Sequence, residues 1–205
     1  MSGTRSHWEE VYSTKAETAV SWYQPHSERS LELIESAMPD RASAIVDIGG
    51  GASRLVDDLI AGGYTDLTVL DVAEAALEKS RTRLGREAGK VAWIAADITE
   101  WRPPRAYAVW HDRAVFHFLT EPDSQAAYLS ALEAGTSAGS AVIMATFALD
   151  GPDKCSGLAV QRYSPATLAA RLGPAFSLTG EAAEAHRTPW GTEQQFSYAI
   201  LIRRA

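Results

Sequence analysis

Cysteine is nearly missing from this chain: Cys155 is the only one. A lone thiol supports neither an intramolecular disulfide framework nor a cysteine-rich zinc site, and no metal site is expected. Long apolar runs are missing as well. No stretch approaches the roughly 18 residues of a membrane span, and Met1 to Lys15 lacks the apolar segment of a secretion signal. A cytoplasmic protein without a membrane partner is the expectation. Positive charge is scarce: 19 Lys and Arg stand against 26 Asp and Glu, a net charge of −7. Nucleic-acid partners demand a basic face, so that class is disfavoured, although a small basic pocket is not. There is no internal repeat and no low-complexity segment. What remains is ordinary for one globular domain spanning residues 1–205, with 46% hydrophobic residues to build a sizeable core. Nothing in it announces an oligomeric state.

Strand and helix patterns alternate from residue 40 onward. Apolar strands are expected at about 44–48, 67–71, 91–95, 107–111 and 141–147, with helices at about 53–61, 73–84 and 123–134 between them. Such alternation means a parallel sheet covered by helices on both faces. Ser164-Pro165 opens a further helix to Leu172. Phe176–Gly180 and Gln195–Arg203 then read as antiparallel additions at the sheet edge. Before the sheet, residues 1–39 form a helical segment. Trp8, Val11 and Tyr12 share one helix face, Trp22-Tyr23-Gln24 falls on a loop before Pro25, and a helix from Ser30 to Met38 stops at Pro39.

The most informative stretch is Ala44-Ile45-Val46-Asp47-Ile48-Gly49-Gly50-Gly51. A buried strand runs into an acid and then into glycines, which permit a tight turn and close approach of a ligand. About 20 residues later a second strand ends at Asp71, placed to grip a ribose diol. This predicts an adenosine-containing ligand. A nicotinamide fingerprint G-x-G-x-x-G would put its third glycine where Arg54 stands. Asp47 would also repel a pyrophosphate, whereas it suits a ligand with a cationic amine.

The pattern Asp47-x-Gly49-x-Gly51 resembles motif I of the class I S-adenosylmethionine-dependent methyltransferases, with Ser53 where the family usually has a third small glycine. The resemblance covers roughly residues 40–205. It implies a Rossmann-like, doubly wound α/β fold, with a mostly parallel seven-stranded sheet and a reversed final strand, and S-adenosylmethionine as cofactor. It implies that Gly49, Gly50 and Gly51 pack on the aminoacyl part of the cofactor, with Asp47 near its ammonium. Asp71 would hold the ribose, Val72 the adenine face, Asp97 and Ile98 the adenine edge, and His111 would contribute backbone. His117 and Asp112, in the segment after strand 4, are the candidate catalytic residues, His117 as a general base or else a packed imidazole. Trp22, Tyr23, Arg113, Arg162 and His186 are candidate substrate contacts, with Gln195 beside them.

The opening His7-Trp8-Glu9-Glu10-Val11-Tyr12 is similar to the start of a branch that holds small-molecule thiol methyltransferases and protein-lysine methyltransferases. Asp112-Arg113-Ala114 is closer to the thiol-directed enzymes. Methyl transfer to a small molecule, such as a thiol or another soft nucleophile, is therefore the leading expectation. The alternatives are a protein-lysine methyltransferase, a nicotinamide oxidoreductase, which the glycine pattern opposes, or a nucleotide-binding module without catalysis.

Overall fold

The computed structural model describes residues 2–205. Helix α1 (Ser2–Thr14) and α2 (Glu28–Ala37) precede strand β1 (Ile45–Ile48). The alternation continues with α3 (Leu55–Ala61), β2 (Leu67–Asp71), α4 (Glu74–Leu84), β3 (Val91–Ala95), β4 (Tyr107–Arg113), α5 (Pro122–Ala134) and β5 (Thr136–Phe147). A two-stranded ribbon, β6 (Lys154–Cys155) and β7 (Leu158–Ala159), leads to α6 (Pro165–Leu172) and the long strands β8 (Phe176–Arg187) and β9 (Glu193–Arg203).

Seven strands form one sheet in the order β3-β2-β1-β4-β5-β9-β8. β1 to β5 run parallel, and β9 is antiparallel to both of its neighbours. This is the expected doubly wound sheet with a reversed last strand. One detail differs: β9 is not an edge addition but is inserted between β5 and β8, so β8 forms the edge. Its apolar run Phe196–Ile202 has the length to pair with the buried part of β5, from Ala141↔Ile202 to Phe147↔Phe196.

The pleat sorts side chains onto two faces. Val46, Ile48, Trp110, Val142 and Met144 pack with Tyr128 of α5 and Leu168 of α6. Ile45, Val109, Ile143 and Ala145 pack on the other side with Ile34 of α2 and Leu55 of α3. Because both faces are covered, the strands read as continuous apolar runs rather than as alternation. Helix starts follow local chemistry. Pro122 stands at the start of α5, and Ser164 and Thr167 form a reciprocal capping box on α6. α4 has no cap of its own from Ala73. The carboxylate of Glu9 in α1 instead accepts the Glu74 and Ala75 backbone N–H groups, at 2.7 and 3.1 Å. This contact moors α1 across the carboxyl end of the sheet. Among the described residues no helix is long and apolar enough to cross a membrane.

Candidate active site

The carboxyl ends of parallel strands are where an open α/β sheet binds ligands, and the structure has a cavity there, about 350 Å³ in volume. Asp47, Gly49 and Gly50 line it after β1, Asp71 and Val72 after β2, Asp97 and Ile98 after β3, and His111 and Arg113 from β4. Trp22 and Tyr23 close it from the N-terminal side, with Trp8 and Tyr12 of α1.

The turn after β1 is shaped by its glycines. Gly49 has φ +71°, and a Cβ there would lie 2.1 Å from Val115 Cγ2, so no other residue fits without displacing the segment after β4. Gly51 stands behind the wall rather than in it. A Cβ on it would meet Asp71 Oδ2 at 2.4 Å and Ala76 at 2.5 Å, so its smallness serves the packing of Asp71 and α4, not direct contact with a ligand as the motif suggested. The Gly51 N–H donates to Asp71 Oδ2 at 3.1 Å, and the Ala73 N–H donates to Oδ1 at 2.8 Å. Burial pushes the Asp71 carboxyl up to about 7, against these two hydrogen bonds, with Asp47 and Glu9 adding to the rise. Asp97 accepts from the Thr99 N–H and hydroxyl.

Asp47 and His111 lie opposite each other across the β1–β4 pairing. His111 Nδ1 is 2.7 Å from Asp47 Oδ1, and its Nε2 is 2.9 Å from Ser30 Oγ of α2. His111 thus carries a side-chain role as well as the backbone role expected of it. Two residues on, the same face carries Arg113. Its guanidinium reaches Glu184 of β8 at 3.2 Å and the Tyr198 hydroxyl at 3.2 Å, and stacks 4.2 Å from the Phe196 ring centroid. Burial opposes both charges, yet the partners outweigh it: Arg113 lies above its ordinary pKa and Glu184 below. Arg113 does not pair with Asp112, because neighbouring residues of a strand point to opposite faces.

Four candidates stand away from the cavity. Asp112, fully buried on the opposite face, accepts from the Val115 and Phe116 N–H groups at 2.8 and 3.1 Å and from the Tyr128 hydroxyl at 2.6 Å. It pins the turn in which Ala114 takes the strained value φ 72°. Burial raises its carboxyl to about 6. It is a structural acid, not a catalytic one. His117 is also fully buried. Its ring packs on Phe118 and Phe147, Nδ1 faces the Phe147 N–H at 3.5 Å, and Nε2 has no partner. Burial, with Arg113 nearby, depresses its pKa to about 3. Out of the cavity and unable to hold a proton at neutral pH, it does not serve as general base, and the packed imidazole is what the structure contains. Arg162 donates to the Gly151 carbonyl, and His186 ties β8 to the Ser21 carbonyl at 2.6 Å. Neither these two nor Gln195 lines the cavity.

Other residues reach the site without having been singled out. Phe118, Phe147, Cys155 and Phe196 form its aromatic end, with Gln24 and Gln194 beside them, and Ser30 of α2 lines it as well. Burial pushes the Cys155 thiol up to about 11. Only the aromatic content of these segments hinted at them.

Three acids and a glycine turn at successive strand ends, facing aromatic rings, form a pocket suited to an adenosine bearing a sulfonium and an ammonium. Fold and site together resemble those of the class I S-adenosylmethionine-dependent methyltransferases. The comparisons agree: residues 45–139 match the family described as methyltransferase domain. Over 104 residues the chain is 26% identical to the eEF1A lysine and N-terminal methyltransferase of Mus musculus, covering 51% of this chain but only 15% of that protein's length. The structure of Burkholderia thailandensis 1,6-didemethyltoxoflavin-N1-methyltransferase, with bound 1,6-didemethyltoxoflavin and S-adenosylhomocysteine, superposes with a TM-score of 0.76 at 15% identity, over 100% of this chain and 88% of that one. A structure described for the conversion of a disulfide bond into a thioacetal group during echinomycin biosynthesis gives 0.72 at 15% identity, over 98% and 92%.

Proposed function

We propose that this protein methylates a small-molecule acceptor through a soft or neutral nucleophile, such as a thiol. One observation carries the reading: the end of the cavity formed by Trp8, Trp22, Phe118, Phe147, Cys155 and Phe196 has no carboxylate in its wall, and its one charged side chain is the cation Arg113. Arg113 is already paired with Glu184, so a lysine ammonium entering there would find no free counter-ion, whereas an uncharged, polarisable group would exchange water for aromatic surface at little cost.

The cofactor supplies an electrophilic methyl group. The protein's own contribution is to hold the partners. Asp71 is placed to accept the ribose hydroxyls, Asp47 to face the ammonium, and Val72, Asp97 and Ile98 to bound the adenine. The aromatic end excludes water and aligns the nucleophile, and proximity and desolvation are the main requirements of such a transfer. Of the solved structures, one is described as an N1-methyltransferase of 1,6-didemethyltoxoflavin and the other by the conversion of a disulfide bond into a thioacetal group. The curated relative acts on protein lysine and N-termini, so protein-lysine methylation is the competing reading.

The test is calorimetry with S-adenosylmethionine and NAD, followed by S-adenosylhomocysteine release across thiols, halides, phenols, amines and a protein lysate. Cofactor binding without NAD binding, and turnover with thiols, is the expected result. Methyl label entering lysate protein alone would move the reading to a protein-lysine methyltransferase. Tight cofactor binding with no release on any acceptor would leave a nucleotide-binding module.

A further inference from the structure

We propose that Ser30, backed by His111 and Asp47, is the proton acceptor for acceptor molecules that arrive protonated, such as phenols. This rests on the reading that the cavity takes a small acceptor, and it extends that reading from thiols, which ionise readily, to nucleophiles that do not.

The hydrogens available to this cluster fix the direction of each bond. A carboxylate can only accept, so the 2.7 Å contact from Asp47 Oδ1 places the ring hydrogen of His111 on Nδ1. In the neutral ring His111 Nε2 is then a lone pair, and the 2.9 Å contact to Ser30 Oγ is a bond that the serine hydroxyl donates. The other neighbour of Ser30 Oγ is the Tyr198 hydroxyl, 3.5 Å away. Tyr198 has spent its own hydrogen on Glu184 Oε2 at 2.8 Å and accepts from Arg113 Nε at 3.2 Å. Neither hydroxyl has a hydrogen left for the other, so Ser30 Oγ retains only the capacity to accept. Ser30, His111 and Asp47 all line the cavity, yet all three are at most 5% exposed. A buried lone pair with a basic nitrogen behind it is built to receive an X–H donor from within the cavity.

The balance is simple. The bond from X to the methyl carbon forms as the carbon–sulfur bond breaks, and that electron pair stays on the cofactor sulfur. The X–H proton passes to Ser30 Oγ while the serine's own proton passes to His111 Nε2. The imidazolium so formed is held by Asp47 through Nδ1–H until product leaves, when Nε2 returns the proton through Ser30 to water entering the cavity. Ser30 is the catalytic group here; His111 and Asp47 are positioning residues that act through it.

Ser30→Ala is a mild change inside α2, since alanine is the better helix former. Three readouts are taken on wild type, Ser30→Ala and Ser30→Thr: S-adenosylhomocysteine affinity by calorimetry, product release with para-substituted thiophenols and phenols of matched shape, and the low-field proton resonance of His111. In Ser30→Ala the affinity should stay nearly unchanged, kcat on phenols should fall by about 10²–10⁴-fold, and kcat on the already ionised thiophenols should hardly move. Ser30→Thr should recover much of the phenol rate. The His111 resonance should survive Ser30→Ala and vanish in Asp47→Ala. Weakened S-adenosylhomocysteine binding in Ser30→Ala would make the hydroxyl a partner of the cofactor and overturn the proposal. Equal loss on both acceptor series, or none on either, would overturn it too, as would a resonance that ignores Asp47. If wild type binds S-adenosylhomocysteine but turns over none of the probes, both the proton relay and the soft-acceptor reading fall. Turnover that is indifferent to Ser30 removes the relay alone.

Discussion

Asp71 is held by two backbone N–H groups, and burial still pushes its carboxyl up to about 7. Only the ionised form can accept from both ribose hydroxyls. Its proton must leave before the ligand is fully gripped, so affinity is complete above that pH and declines as pH falls through it. Calorimetry with S-adenosylhomocysteine should therefore give weaker binding at pH 6 than at pH 8 in wild type. Asp71→Asn should bind more weakly by about 1.5–3 kcal/mol, the range for a hydrogen bond to a charged group, with the pH dependence gone. Affinity in Asp71→Asn equal to wild type at both pH values would remove Asp71 from the ribose site.

Helix α1 is kept on the cavity by a contact that spans most of the N-terminal half. Glu9 caps a helix 65 residues away, supplying negative charge where the α4 dipole and its free N–H groups call for it. Trp8 and Tyr12, on the same helix, face the cavity and cluster with Trp22. Glu9→Ala removes the cap, at a cost of about 0.5–2 kcal/mol, all of it borne by the docking of α1. Hydrogen–deuterium exchange should then quicken over residues 5–14 while β1 and β4 stay protected, and S-adenosylhomocysteine should bind more weakly. Unchanged exchange in α1 would mean that the aromatic cluster alone holds the helix.

At the scale of the whole molecule, buried ionisable groups set how stability follows pH. The folded pKa of His117 lies near 3 against an ordinary 6.5. Between those values the unfolded chain binds a proton that the folded chain refuses, so stability is complete above 6.5 and is lost as pH falls. Asp71 and Asp112, raised to about 7 and about 6 from 3.8, act in the opposite sense: the folded chain keeps their protons longer, and their contribution is lost as pH rises. The wild-type curve mixes these effects, but a difference isolates one. Denaturant melts of wild type and His117→Phe at pH 7 and pH 5 should show wild type losing about 2 kcal/mol more than the variant. Parallel losses would show that His117 becomes charged in the folded protein.

The sequence by itself determined the sheet, its crossovers and the acids at its strand ends. These rest on local periodicity and on glycine, whose effects act within a few residues. Asp47, Asp71 and Asp97 were legible because a strand end is a local event. The segment after β4 was not. From His111 to Phe118 it offers two histidines, an acid and an arginine in eight residues, and only the pleat and the turn at Ala114 decide which of them see the cavity. A strand alternates its side chains, so His111 and Arg113 face α2 while Asp112 faces α5. The left-handed turn then ends the alternation and carries His117 behind the wall. The joining of Ser30, His111 and Asp47 comes from three elements spread over 81 residues. No short-range pattern encodes such a meeting, because the packing of α2 against β1 and β4 creates it.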